Sequence, residues 1–367
     1  MKFERFGGQA NPRRDKRFGS NRNDVPCSPC EHEDSVSSKI KDFREHKSAK
    51  ALLVSKTLSK SFENTKIATR FCLSRIQGIR GTFTAIVTPF DKNGEVDEEG
   101  LRRNVDFQIE NGICGIVPVG TTGESATLTA EEHKHVIEIV VDHVAGRVPV
   151  VAGTGSNSTA ESIEYTQHAL DAGADAALMI SPYYNKPTQE GIYQHFKKVA
   201  ESVDIPIILY TVPSRTVVNI EAPTTIRLSK IPNIIGIKDA SGDLDQITRV
   251  LTECPGFLVF SGDDSLNFPT IVLGAHGAIS VASNVAPRLV SDAVTAALKG
   301  DIKEARRLHN MLHPLYKVLF IETSPSPVKA AMKMMGAPAG DPRLPLVQMS
   351  EDGKKKLRKV LADLDLI

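Results

Sequence analysis

Residues 234–242 read IIGIKDASG. Apolar and small side chains lead into Lys238, and Asp239, Ala240 and Ser241 run on to Gly242. The run before the lysine reads as a buried strand closed by a turn signal. A buried strand that ends in an ammonium needs a reason, because burying an unpaired charge is costly. That reason depends on the fold the strand belongs to.

Eight runs of this kind recur along the chain. They are TFTAIVT (82–88), CGIVPV (114–119), VPVVAG (148–153), DAALMI (175–180), PIILYT (206–211), NIIGIK (233–238), FLVFSG (257–262) and GAISVA (277–282). Amphipathic stretches separate them, such as DEEGLRRNVDFQIENG (97–112), TAEEHKHVIEIVVDHV (129–144) and STAESIEYTQHALDAG (158–173), the last stopped by Gly173. Apolar runs without polar alternation indicate strands covered on both faces, as in a parallel sheet flanked by helices. Eight such units in roughly 210 residues predict an α/β chain folded as a (β/α)8 TIM barrel. A doubly wound sheet usually has fewer strands and a Gly-rich turn after the first, whereas here PFDKNGEVD (89–97) follows it. PRLVSDAVTAALKGD (287–301) fits the eighth barrel helix, and 302–320, 326–336 and 350–366 predict extra C-terminal helices.

The expected organisation is an extension over 1–77, a barrel over 78–300 and a helical region over 301–367. Residues 1–80 hold 18 Lys and Arg against 9 Asp and Glu, a net of +9, whereas the whole chain carries +1. The extension is polar and lacks a sustained apolar period, so disorder is expected there. A transit peptide, a linker and an upstream stretch brought in by the choice of start codon stay open for it. Its Cys27-x-x-Cys30 followed by His32 is a weak metal pattern without a second ligand pair. Five scattered cysteines (Cys27, Cys30, Cys72, Cys114 and Cys254) fit a reducing compartment. No run approaches the roughly 18 apolar residues of a membrane span, and the N-terminus lacks the apolar core of a secretory signal. A cytoplasmic protein is expected, organelle-targeted only if 1–77 is a transit peptide. Neither nucleic acid nor membrane is expected as a partner.

In a barrel of this type the chemistry gathers where the strands end. The polar residues there are Thr121 and Thr122 after the second run, Tyr183 and Tyr184 after the fourth, Tyr210 and Arg215 around the fifth, and Lys238 at the sixth. The His and carboxylate clusters of a metal hydrolase are missing from this set, so no metal is expected. A partly desolvated lysine has a lowered pKa and attacks carbonyls to form a Schiff base. Tyrosine and threonine hydroxyls relay protons, and an arginine clamps a carboxylate. Each residue also has an ordinary reading. A lysine after a strand is commonly a solvated end, Tyr210 a core-edge aromatic, and the threonines turn residues.

GTTGESATLT (120–129), SPYYNKPTQEGIYQHF (181–196), YTVPSRT (210–216), IGIKDASGD (235–243) and FSGDD (260–264) together resemble the dihydrodipicolinate (4-hydroxy-tetrahydrodipicolinate) synthase family, within the N-acetylneuraminate lyase superfamily. The resemblance runs from about residue 78 to the C-terminus. It implies a homotetramer, a dimer of dimers, that condenses pyruvate with L-aspartate 4-semialdehyde in lysine and diaminopimelate synthesis. No cofactor is implied beyond a covalent imine of pyruvate on Lys238. The same resemblance makes Tyr210 the proton-relaying tyrosine, Thr121 its link, and Tyr184 the tyrosine that reaches a neighbouring subunit's site. Thr122, Arg215 and Ile279 become substrate-binding, with Arg215 holding the semialdehyde carboxylate. Ser125, Ala126, His133, Asn157, Glu161 and Tyr183 match a cleft that takes L-lysine as a feedback effector, although Ala130 stands where sensitive members often carry histidine. Thr211 departs from the family's YNVPSRT, and altered packing on the outer face is the expected consequence.

Two rival functions stand beside this one. A sugar-acid or N-acetylneuraminate type of pyruvate aldolase lacks an arginine in place of Arg215. A catalytically idle barrel has no use for Lys238. Other signals read as structural: Ser158 or Thr159 as a helix cap, Asp263 and Asp264 as turn residues, and His133 and His135 on different helix faces.

Overall fold

The computed structural model describes residues 80–367. The extension 1–77, with Cys27, Cys30, His32 and Cys72, lies outside the described residues. All eight expected runs are strands: β1 Gly81–Ala85, β2 Gly115–Val117, β3 Val151–Gly153, β4 Ala176–Ile180, β5 Ile207–Thr211, β6 Ile234–Asp239, β7 Leu258–Ser261 and β8 Gly277–Ser280. They pair in parallel in the order β2-β1-β8-β7-β6-β5-β4-β3. A bridge between Ile116 and Val150 joins the two ends of the sheet. The Ile116 N–H donates to the Pro149 carbonyl and the Gly153 N–H to the Pro118 carbonyl, each at 3.0 Å. β2 and β3 are only three residues long. Pro118 ends one and Pro149 precedes the other, and proline has no N–H to give a ladder.

Helices alternate with the strands: α1 Glu98–Glu110, α2 Ala130–Val144, α3 Thr159–Asp171, α4 Gln189–Ser202, α5 Pro213–Thr216, α6 Ala222–Leu228, α7 Leu244–Glu253, α8 Asn267–Val272 and α9 Pro287–Leu298. Three more follow: α10 Ile302–Val318, α11 Ser326–Met334 and α12 Glu351–Asp363. Local sequence sets their starts. Thr129 and Glu132 close a capping box on α2, and the Ser158 and Asp243 side chains accept the first free N–H groups of α3 and α7. α10 packs along α9, and α12 on α10 and α11. Val285, Leu312, Leu315, Val328, Met332 and Leu357 form the shared core of this region. Among the described residues, no helix is long and apolar enough to cross a membrane.

The barrel interior is a packed layer of Phe83, Val117, Val151, Leu178, Ile208, Leu258, Phe260 and Ile279. Phe83 meets Phe260 edge-on, with ring centroids 5.4 Å apart. Space for such rings comes from glycines on neighbouring strands. A Cβ at Gly115 on β2 would overlap the Phe83 ring.

The register of β6 decides where its lysine points. Ile207 lies opposite Ile234, but Ile208 lies opposite Gly236, so Ile235 is an extra residue. Such a bulge resets the in-out alternation. Ile234 and Ile237, three apart, therefore both face the helices. Lys238 then falls in one row with Tyr210 and Phe260, whose side chains face the interior.

Candidate active site

Lys238 is 5% exposed, and its Nζ lies 4.3 Å from the centroid of the Tyr210 ring. Burial pushes its pKa down to about 8; the Asp264 charge opposes this and Arg215 adds to it. No carboxylate touches the amine among the ion pairs of the described residues. Asp264 is itself buried and held by other groups. It accepts from the Val281 and Ala282 N–H groups at 3.0 and 2.8 Å and from the Asn267 side chain at 3.0 Å. Asp263 caps the following turn through the Ser265 N–H at 2.9 Å. Asp263 is thus the turn residue read from sequence, whereas Asp264 is a buried brace onto the end of β8.

The Tyr210 phenol is raised above its ordinary pKa by burial; the Arg215 charge and a hydrogen bond with Thr121 partly offset this. Arg215, on the one-turn helix α5, donates to the Ser324 carbonyl at 3.2 Å. A cavity of about 620 Å³ opens over these groups. Thr121, Thr122, Tyr210, Arg215 and Lys238 line one side, and Tyr316 with residues 320–324 the other. Ile279 is buried in the barrel interior and is not part of this lining.

A second cavity of about 530 Å³ shares Thr121, Tyr210 and Arg215 with the first. Ser125, Ala126, His133, Glu161 and Tyr183 line it, whereas Asn157 does not. The Asn157 carbonyl instead accepts from Asn185 at 2.8 Å. His133 is buried, stacked on Tyr165 with centroids 4.1 Å apart, and burial drives its pKa to about 4. It is neutral at physiological pH. His135 lies on the exposed face of the same helix, paired with Glu98 at 2.8 Å.

The sequence profile of the Dihydrodipicolinate synthetase family matches residues 78–364. The chain belongs to that family. A 4-hydroxy-tetrahydrodipicolinate synthase of Methanothrix thermoacetophila is 56% identical over 287 residues, covering 78% of this chain and 97% of the relative. The chloride-inhibited dihydrodipicolinate synthase of Acinetobacter baumannii, solved in complex with pyruvate, is 46% identical with a TM-score of 0.78, covering 79% of this chain and all of that one. The enzyme of Cyanidioschyzon merolae with lysine bound is 39% identical with a TM-score of 0.77, covering 79% of this chain and all of that one.

Two family positions behave in their own way here. Tyr184 is 92% exposed and far from filling a pocket in its own chain. Its φ of 71° lies in the left-handed region, a costly conformation for an aromatic residue and one that clusters at functional sites. Thr211 is fully buried and hydrogen-bonded on the outer side of its strand. Its hydroxyl donates to Asn219 Oδ1 at 2.8 Å and accepts from the Ile220 N–H at 3.0 Å. Asn219 donates on to Gln246 at 2.7 Å, and Gln246 to Asp239 at 2.8 Å. This chain of bonds braces the outer side of β5 and β6, directly behind Tyr210 and Lys238.

Sequence reading missed the C-terminal wall of the cavity and the groups that seat it. Lys329 forms an ion pair with Glu124 at 2.5 Å, with both side chains essentially inaccessible. The Arg343 N–H donates to the same carboxylate at 2.9 Å. The available signal was a lysine inside the apolar stripe of α11, beside Val328 and Met332.

Proposed function

We propose that the chain is a lyase that condenses pyruvate with L-aspartate 4-semialdehyde to 4-hydroxy-tetrahydrodipicolinate, in the branch that makes lysine and diaminopimelate. The observation that carries this reading is Lys238, buried at the cavity floor against Tyr210 with its amine brought to about 8. The neutral amine attacks the pyruvate C2 carbonyl, and loss of water gives the imine. The imine draws electrons from the methyl group, which gives up a proton toward Tyr210 and Thr121. The enamine carbon then bonds to the semialdehyde's aldehyde carbon, and its aldehyde oxygen takes a proton to become the hydroxyl. Attack of the semialdehyde's own amine on C2 closes the ring and releases Lys238. Arg215, at the rim, fits the semialdehyde carboxylate. Catalysis of this kind needs no group beyond the protein's own residues. Consumption of NADPH by added dihydrodipicolinate reductase, dependent on both substrates, tests the reading; absence of turnover with both present sinks it.

The exposed, strained Tyr184 supports an assembly in which it completes the site of a neighbouring subunit, as expected of a homotetramer. Sedimentation at working concentration that yields only monomer, with full activity, removes that part. The second cavity supports L-lysine as an effector. Glu161 offers a carboxylate for its ammonium groups, and the shared Thr121, Tyr210 and Arg215 give a route to the site. Calorimetry with no heat up to millimolar lysine ends this proposal.

A further inference from the structure

The turn that carries Thr121 and Thr122 is held in an unfavourable shape. Val119 and Glu124 both lie in the left-handed region, at φ of 47° and 56°. β-branched and long side chains avoid that region, so the surroundings must enforce it. Contacts within the turn supply part of the hold: the Thr127 N–H and hydroxyl donate to the Glu124 carbonyl at 2.9 and 3.1 Å, and the Ser125 N–H to the Gly120 carbonyl at 3.3 Å. The Glu124 N–H donates to the Thr121 carbonyl at 3.2 Å, and the Thr88 hydroxyl to the Gly123 carbonyl at 2.7 Å. At Glu124 itself the tie to distant segments is the carboxylate, gripped by Lys329 and the Arg343 N–H. Lys329 sits one turn inside α11, which begins just after Ser324, the residue whose carbonyl receives Arg215. One buried pair thus joins the turn bearing Thr121 to the wall that steadies Arg215.

A buried ion pair is a poor choice for stability alone, since apolar residues of the same size do as well or better. We propose that Glu124 and Lys329 are positioning residues, which keep the Thr121 hydroxyl aligned with Tyr210 for proton transfer. The inference rests on the Schiff-base reading above. It predicts that neutralising the pair slows removal of the pyruvate methyl proton while leaving imine formation on Lys238 in place.

The test compares the unaltered protein with Glu124→Gln/Lys329→Met, which removes both charges, and with Glu124→Asp, which keeps both charges but shortens the reach to Lys329. Three quantities are read: the unfolding midpoint, the borohydride-trapped pyruvate adduct on Lys238, and deuterium uptake by the pyruvate methyl in D2O. The expected result is a folded double variant with parental adduct yield and exchange slowed about 10- to 100-fold. A purely structural pair would give parental exchange in the folded double variant, and that result overturns the proposal. If the double variant does not fold, Glu124→Asp decides by the same criterion. Absence of any adduct in the unaltered protein instead overturns the Schiff-base reading, and the inference with it.

Discussion

Lys238 and Lys329 are both buried lysines whose amines burial pulls down to about 8, yet their surroundings differ. Lys329 meets Glu124 at 2.5 Å, the Phe90 ring at 4.0 Å and the Asp341 carbonyl at 3.4 Å. Lys238 meets the Tyr210 ring and an open cavity. Desolvation alone therefore does not make a nucleophile. A nucleophile also needs a free face open to the substrate, which Lys238 has and Lys329 lacks. With a pKa of about 8, roughly a tenth of the Lys238 amines are neutral at pH 7, against roughly one in three thousand at the ordinary value.

The same substitution at the two lysines separates these roles. Lys238→Met should abolish condensation, by on the order of 10⁴-fold or more in kcat/KM. Residual turnover near the parent's would place the chemistry elsewhere. Lys329→Met leaves the Glu124 carboxylate buried without its partner and should cost about 3–5 kcal/mol in urea unfolding at pH 7. A neutral outcome there would mean that the pair is wet or already uncharged.

Stability at Lys238 should move the other way. Its folded pKa lies below the unfolded one, so the folded state disfavours the proton that the unfolded chain keeps. Between pH 8 and 10.5 the unfolded chain binds more protons, and the stability of the parent rises with pH. The penalty is fully present below pH 8 and gone above 10.5. Lys238→Met should therefore stabilise the fold at pH 7 by about 3 kcal/mol at most, and the advantage should vanish by pH 10.5. A gain independent of pH would trace it to packing instead. The smallest effect is expected from Thr211→Val, about 1–2 kcal/mol in unfolding from the unpaired Ile220 N–H and the bond lost at Asn219 Oδ1. It should loosen the strands behind Lys238 without preventing the imine.

The barrel was legible because each strand is an unbroken apolar run, and because polar groups with one chemical theme follow successive runs. Lys238 and Tyr210 could be paired from that order alone. The bulge at Ile235 was not legible, since I-I-G-I does not say which residue lacks a partner across the ladder. Periodicity also says nothing about contacts between distant segments. Glu124 reads as one more turn residue, and only Lys329, a charge within an apolar helix stripe, hinted at a buried mate. The grouping of Ser125, Ala126, His133, Glu161 and Tyr183 came from the family resemblance; no spacing rule predicts it or the exclusion of Asn157. Thr211 was seen as a departure, but its bonds run to a loop residue eight positions on, whose orientation no strand pattern gives.

The central claim is that Lys238, and not Lys329 or a surface lysine, is the nucleophile. Borohydride reduction in the presence of pyruvate, followed by peptide mapping across a pH series, addresses it directly. The account predicts a single adduct on Lys238, with an initial labelling rate that rises with pH, is half-maximal near pH 8 and levels about one unit above it. Labelling spread over surface lysines, or a rate still climbing steeply above pH 9, would contradict it.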